Sequence, residues 1–318
     1  MLDLLLSIIY WRSRIKFKEN PLAIIYFHHV FEHKNEYHPD DITALEFEEK
    51  IKFLKKHFNI LALSEAMELQ KAKRLPPKAL VISFDDGYQD NFTVAAPILK
   101  KHNCPATFFI STSGVEEGYL WNDKVEQLLV STAITEISAN VIDESIIINN
   151  KIEKIAAFQL LLSKLKFLSH EKRTQQLNKL ASELGHVQFK RTMMTTDQIK
   201  KLHQDGFTIG AHTHNHTILT TEKIDDCQQE LLTNKNSLEA IISEKIEFVA
   251  FPNGFFERDF TFEHCDIAKK MGFKAAFSTN DGGAFTSTNI YTVPRFMPYR
   301  KQLPLFALSI AKIAGEHV

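Results

Sequence analysis

Ala79-Leu80-Val81-Ile82-Ser83-Phe84-Asp85-Asp86-Gly87-Tyr88 is the stretch that decides how this chain folds. Its first six residues are almost all apolar, which reads as a strand buried on both faces, since a strand with one wet face would alternate. The breaker Pro76-Pro77 precedes it and a helical pattern over Val94–Lys101 follows. A buried strand that runs into a turn and then a helix is half of a parallel βαβ unit. Two carboxylates and a glycine stand at its C-terminal end, where α/β folds gather their active sites.

The same pattern recurs in both directions. Leu22–Phe27, Ala106–Ile110, Phe207–Ala211, Ile246–Phe251 and Phe273–Phe277 are further short apolar runs. Phe47, Ile51, Leu54 and Phe58 share one helical face behind a capping box of Thr43 and Glu46. Other helical patterns cover Asp197–Gln204, Thr221–Ile242 and the residues before Gly272. Strands alternating with helices imply parallel pairing, and this number of units suits an α/β barrel. Residues 120–190 break the rhythm: Glu136–Ile148 reads as a small strand pair and Ile152–Leu184 as two helices rich in Leu and Lys. The expected organisation is an N-terminal helical segment, residues 1–20, and one barrel, residues 21–318, with a mainly helical insertion at about 120–190. The insertion reads most simply as a cap beside the barrel, with a substrate lid as the alternative.

Composition narrows the function classes. Over 318 residues, 38 Lys+Arg balance 39 Asp+Glu to a net charge of −1, which provides no long-range field to hold nucleic acid. Cys104, Cys227 and Cys265 are odd in number and lack CxxC spacing. They exclude a disulfide-stapled scaffold or a cysteine zinc ribbon and fit a reducing compartment. Leu4–Trp11 is apolar but far shorter than the roughly 20 residues that span a bilayer. Asp3 before it and Arg12, Arg14, Lys16 and Lys18 after it are the reverse of a secretory signal. The expectation is a cytoplasmic protein. Its residues 1–18 are either a helix packed on the domain or an interfacial helix whose basic residues meet anionic lipid at the inner membrane face, and the sequence leaves both open.

Three strand ends carry candidate chemistry. At the first, neighbouring side chains of an extended chain would diverge, but Gly87 permits a turn that aims Asp85 and Asp86 at one cavity. One carboxylate could then ligate a metal while the other stays free as a base; a solvated turn is the alternative. The second is Gly210-Ala211-His212-Thr213-His214-Asn215-His216. His212 and His216 share a face if the segment makes one helical turn, a metal-chelating spacing that directs His214 elsewhere. Two neutral imidazoles plus Asp86 leave zinc, or another divalent transition metal, an open position for water. The third is Ala250-Phe251-Pro252-Asn253-Gly254, a turn that could aim the backbone N–H of Asn253 into the cavity as an oxyanion donor.

Together these residues resemble the NodB-homology polysaccharide deacetylases. Phe84-Asp85-Asp86-Gly87 looks like that family's Thr-Phe-Asp-Asp-Gly motif, with Ser83 in place of Thr. His212-Thr213-His214-Asn215-His216 matches its His-[Ser/Thr]-x-x-His motif, and Phe251-Pro252-Asn253-Gly254 is similar, more loosely, to a third motif often written Tyr-Pro-Tyr-Gly. The resemblance runs from about residue 20 to 300, apart from the insertion. It implies a deformed (β/α) barrel and metal-dependent hydrolysis of an N-acetyl group on a sugar. Asp85 would be the general base, and Asp86, His212 and His216 the metal ligands.

The chain departs from the family pattern in three places. Many members carry an Arg two residues before the Pro of the third motif, where it orients the base; here that position is Ala250. Arg295, in Val293-Pro294-Arg295-Phe296, is the candidate substitute, with a surface ion pair as its alternative. The family's Asp-Trp motif is absent from Ser278–Phe285, and no Leu-x-His motif near the C-terminus supplies the acid. Tyr26-Phe27-His28-His29-Val30 instead looks like the Tyr-His-x-Val segment of the branch that includes poly-N-acetylglucosamine deacetylases. That branch draws its acid from the first strand, so His28 is the matching residue.

The implied substrate is an N-acetylated glycan or oligosaccharide, with Trp121, Phe285 and Tyr299 as candidate sugar-stacking faces. Two other readings fit the same residues. One is a metal-dependent amidohydrolase acting on a small non-sugar amide, which a closed pocket would favour. The other is a catalytically idle glycan-binding protein, against which the intact Asp85, Asp86, His212 and His216 speak.

Overall fold

The computed structural model describes residues 2–138, 142, 145–185, 187–298 and 301–316. Its main sheet contains β1 (Leu22–Phe27), β2 (Asn59–Ile60), β3 (Ala79–Phe84), β4 (Thr107–Ile110), β5 (Thr208–Ala211), β6 (Phe248–Ala250) and β7 (Ala275–Phe277). All neighbours are parallel, in the order β1-β3-β4-β5-β6-β7, and β2 pairs with the first two residues of β3. Every residue of β1, β3, β4, β6 and β7 is buried. Helices cover the outer face, so both faces of these strands exclude water, and the sequence shows continuous apolar runs. Burial continues past the last ladder bond, since Phe207, Phe251 and Phe273 are buried outside the strands, so those runs overstate strand length.

The curled sheet leaves a gap between β1 and β7, and residues 293–296 fill it. Val293 donates its N–H to Ala276 O (3.0 Å) and accepts from Ser278 N–H (2.8 Å) on the β7 side. Phe296 donates to Ile24 O (3.1 Å) and accepts from Tyr26 N–H (3.2 Å) on the β1 side. Pro294 between them has no N–H to offer, so this closing stave is irregular. The result is the deformed (β/α) barrel, closed by backbone bonds that switch from one edge strand to the other.

Local chemistry explains the helix boundaries. Thr43 accepts from Glu46 N–H, and Glu46 returns a bond to the Thr43 backbone, so the capping box opens helix Ala44–His57 as the sequence predicts. The helix expected over Val94–Lys101 starts regularly only at Ala96. A wide π-type turn, Asn91–Ala95, precedes it, with Ala96 N–H reaching Asn91 O, because Pro97 cannot continue an ordinary α turn behind it. The insertion contains helices Trp121–Ser131, Lys151–Leu165 and His170–Leu184 and an antiparallel pair, Glu136–Ile137 with Ile146–Ile147. It packs its own core around Leu128, Leu129, Phe158, Leu161 and Leu180, separate from the barrel core.

Candidate active site

The first site grows from the end of β3. Asp86 (φ 75°) and Gly87 (φ 94°) are left-handed in succession, which turns the chain sharply enough to send both carboxylates into one cavity. A Cβ on Gly87 would sit 2.7 Å from Ile110 Cγ2, so glycine is required there. Asp86 has no such freedom and holds a backbone conformation that costs about 1 kcal/mol or more, as residues at functional sites do. Arg295 grips Asp85 through two parallel bonds, Nη1 to Oδ1 at 2.7 Å and Nη2 to Oδ2 at 2.9 Å. The guanidinium is fully buried, donates further to Ser83 Oγ (3.2 Å), and lies 5.0 Å from the ring centres of both Tyr26 and Phe109. The surface-ion-pair alternative for Arg295 is therefore wrong, because the closing stave points the residue inward. Burial pushes the Asp85 carboxyl up, but Arg295, with His212 and His28, outweighs it and holds the group below the usual carboxylate range.

The histidine motif converges by a different route from the one its spacing suggests. Residues 212–216 form no helical turn; Thr213 (φ 57°) and His216 (φ 49°) fold the segment back as a left-handed loop. His212 Nδ1 lies 2.7 Å from Ala250 O. A carbonyl only accepts, so Nδ1 carries the hydrogen and Nε2 of the neutral ring is left as a lone pair. The residue in the family's arginine position thus orients a histidine through its main chain. His212 Nε2 stands 3.3 Å and His216 Nε2 3.0 Å from Asp86 Oδ1. That oxygen is buried and accepts no hydrogen bond among the described residues. Burial pulls the His216 imidazole below its usual range, although Asp86 opposes this. With both rings neutral and Nε2 unprotonated, their lone pairs and the orphan carboxylate oxygen would repel one another in a low dielectric, and a cation between them would satisfy all three. The residues present fit a divalent transition metal.

Both sites open into a cavity of about 620 Å³. His28 lines it, half-buried, with its ring edge-on to Tyr26. His29 is buried, stacked on Tyr88 at 3.6 Å and bonded through Nδ1 to Asp90 Oδ2 at 2.6 Å. Asn253 (φ 60°) also lines the cavity; its side-chain amide donates to Asp259 and its carbonyl accepts from Thr279 Oγ1. Its main-chain N–H has no hydrogen-bond acceptor among the described residues. Trp121 is on the cavity wall, whereas Phe285 is fully buried against Phe17 outside it, and Tyr299 lies outside the described residues.

The polysaccharide deacetylase profile matches residues 72–276, more than half of the chain. This chain belongs to the polysaccharide deacetylase family. Among curated relatives it is 32% identical over 118 residues to poly-beta-1,6-N-acetyl-D-glucosamine N-deacetylase of Staphylococcus aureus, covering 33% of this chain and 41% of that protein. It is 21% identical over 256 residues to the putative polysaccharide deacetylase YxkH of Bacillus subtilis, covering 80% of this chain and 64% of that protein. The match thus spans about two-fifths of the length of the Staphylococcus relatives. Solved structures share the fold: the Streptococcus pyogenes deacetylase PplD in complex with acetate (TM-score 0.59, 18% identity, 88% of this chain and 92% of that one) and IcaB from Ammonifex degensii (TM-score 0.59, 18% identity, 92% and 97%).

The chain also carries residues around the site that sequence reasoning missed. Arg173, from the insertion, is buried over the Trp121 ring at 4.9 Å and donates to Asn215 O at 3.2 Å. Glu230 accepts from the N–H and side-chain amide of the same Asn215, at 2.7 and 2.6 Å, so the loop carrying His216 is held from two sides. Nothing in a Lys-rich helix marks Arg173 as different from its neighbours. A second cluster, His29, His38 and Asp41, also lines the cavity, and each residue offers a ligand atom within 4.8 Å of the others. The local signal for it was the polar run His38-Pro39-Asp40-Asp41 beyond the first strand.

Proposed function

We propose that the chain is a metal-dependent hydrolase that removes N-acetyl groups from an N-acetylated sugar within an oligo- or polysaccharide. The observation that carries this reading is the meeting, in one cavity, of a carboxylate clamped by Arg295 and two imidazole nitrogens around an orphan carboxylate oxygen. A divalent transition metal held by Asp86, His212 and His216 would supply Lewis-acid polarisation of the acetyl carbonyl and a more acidic water. Asp85, kept ionised and oriented through both oxygens by Arg295, takes the proton of the attacking water. The Asn253 N–H donates to the carbonyl oxygen as negative charge develops there, a contribution typically worth about 3 kcal/mol. His28 gives a proton to the departing nitrogen, so the C–N bond breaks to an amine and acetate, and no amide anion has to leave.

Two features favour a glycan over a small amide. The cavity, at about 620 Å³, is larger than an isolated acetamide needs, and Trp121 and the exposed Phe167 line its wall. The names of the Staphylococcus relatives point to the same substrate class. The three cysteines are unpaired and buried, which suits a cytoplasmic site and hence a precursor glycan as substrate. The test is acetate release from a panel of N-acetylated oligosaccharides and small N-acetyl amides, with elemental analysis of the same sample. Acetate is expected from the oligosaccharides, abolished by chelation and restored by metal. Release from the small amides alone, or no release from metal-loaded protein, would overturn the reading.

A further inference from the structure

The N-terminal helix, Leu2–Phe17, has two apolar faces, and the protein covers only one of them. Leu6, Tyr10 and Ser13 are buried, with Tyr10 edge-on to Phe58 and the helix packed along the C-terminal helix Leu303–Ala314. On the opposite side Leu4, Ile8, Trp11 and Ile15 are 65%, 38%, 62% and 59% exposed. At about 100° per residue these four fall within roughly 60° of one another, and Arg12 and Arg14 lie about 70° and about 90° from the centre of the stripe, on opposite sides. Both arginines are exposed, as are Lys16 and Lys18. The helix cannot roll to hide the stripe: Asp3 is fixed to His57 Nδ1 at 2.7 Å, and Tyr10 is locked in the core.

We infer that this helix docks the protein on an anionic lipid surface, with Leu4, Ile8, Trp11 and Ile15 in the acyl boundary and Arg12 and Arg14 among acidic headgroups. An apolar stripe with a tryptophan, edged on both sides by arginine, matches the layered polarity of a membrane interface. The one acidic residue of the helix, Asp3, is taken up by His57 and Lys78, so the exposed charge facing the lipid is positive. A second copy of the chain fits less well, because a two-fold contact along the stripe would set Arg12 and Arg14 against their own counterparts. No described helix is long and apolar enough to cross the membrane, so the helix lies on the surface.

Docking also sets an orientation. Asp3 reaches Lys78, the residue before β3, and Glu19 accepts from Thr286 beside the Leu22–Ala284 bridge at the start of β1. The helix therefore crosses the N-terminal ends of the strands, while Asp85, Asp86 and His212 follow their C-terminal ends. The cavity faces away from the bilayer, toward a glycan in the aqueous phase. This last point rests on the N-deacetylase reading; the docking does not.

The experiment is co-sedimentation of the full chain with phosphatidylcholine vesicles, with and without phosphatidylglycerol, at rising salt. Binding is expected only with phosphatidylglycerol and should weaken as salt increases. Arg12→Gln with Arg14→Gln should weaken it about 30-fold, as two charges near an anionic surface do. Trp11→Ser with Ile15→Ser should abolish it while leaving metal content unchanged, and brominated lipid should quench Trp11 fluorescence in the bound wild type. Equal binding to both vesicle types, or none to either, overturns the inference. So does a wild-type dimer in solution that Trp11→Ser with Ile15→Ser turns into a monomer, which would make a second copy the occupant.

Discussion

Asp86, His212 and His216 on one wall of the cavity, and His29, His38 and Asp41 on another, are clusters of the same composition and similar spacing. They differ in what stands behind the rings. In the first, a main-chain carbonyl fixes His212, and the carboxylate oxygen at the centre accepts no hydrogen bond among the described residues. In the second, His29 is bonded to Asp90, and His38 Nε2 to Glu126 Oε2 at 2.8 Å, with Asp41 3.5 Å from the other His38 nitrogen. Three carboxylates around two imidazoles favour protons on the rings. Burial pulls the His29 ring down, but Asp90 outweighs it; burial also opposes His38, yet Asp41 and Glu126 push that ring up to about 9. A carboxylate behind a histidine also occurs in true metal sites, so composition and second partners alone do not decide. The balance of charge does: protons complete the second cluster, whereas the first leaves a carboxylate oxygen that a cation would complete.

The sharpest way to break this contrast is metal content. His212→Ala or His216→Ala should reduce bound transition metal from about one equivalent to nearly none, since each removes one of three protein ligands. His38→Ala should leave it unchanged. Elemental analysis showing the reverse pattern would exchange the roles of the two clusters.

A second substitution separates ligand from base within the first motif. Asp85→Asn keeps the shape and one of the two bonds from Arg295 but not the basicity, so metal should be retained while turnover falls by about 100-fold or more. Loss of metal together with activity would mean that the two adjacent aspartates have been assigned the wrong way round.

The smallest expected effect concerns the second cluster as an ion-pair network. The folded His38 ring titrates at about 9, above the unfolded value near 6.5. Its stabilisation is therefore fully present below about pH 6.5 and lost as pH rises through about 9. In the presence of chelator, the thermal midpoint of wild type should exceed that of His38→Ala in mild acid, and the gap should shrink across this window. A gap that stays constant from pH 6.5 to 9 would show that His38 carries no proton, and the two clusters would then be alike.

What the sequence determined by itself was local. Continuous apolar runs located β1, β3 and β4, because strands buried on both faces leave no polar position to alternate. Thr43 and Glu46 marked a helix start to the residue, since a capping box is satisfied within four residues of chain. Asp85, Asp86, His212 and His216 were legible because strand ends are where polar side chains can gather beside a buried sheet. Tertiary structure decided the rest. The partner of Asp85 lies 210 residues away and meets it only because the stave at 293–296 closes the barrel with Arg295 pointing inward. The convergence of His212 and His216 depends on left-handed backbone at Thr213 and His216, which no residue preference announces, since these side chains rarely adopt it unless the surroundings hold them there. Likewise the run Leu4–Trp11 showed an apolar helix, but only packing against Leu303–Ala314 revealed which face is covered and which is exposed. Periodicity reports that a side chain prefers to leave water; which neighbour receives it depends on contacts between segments far apart in sequence.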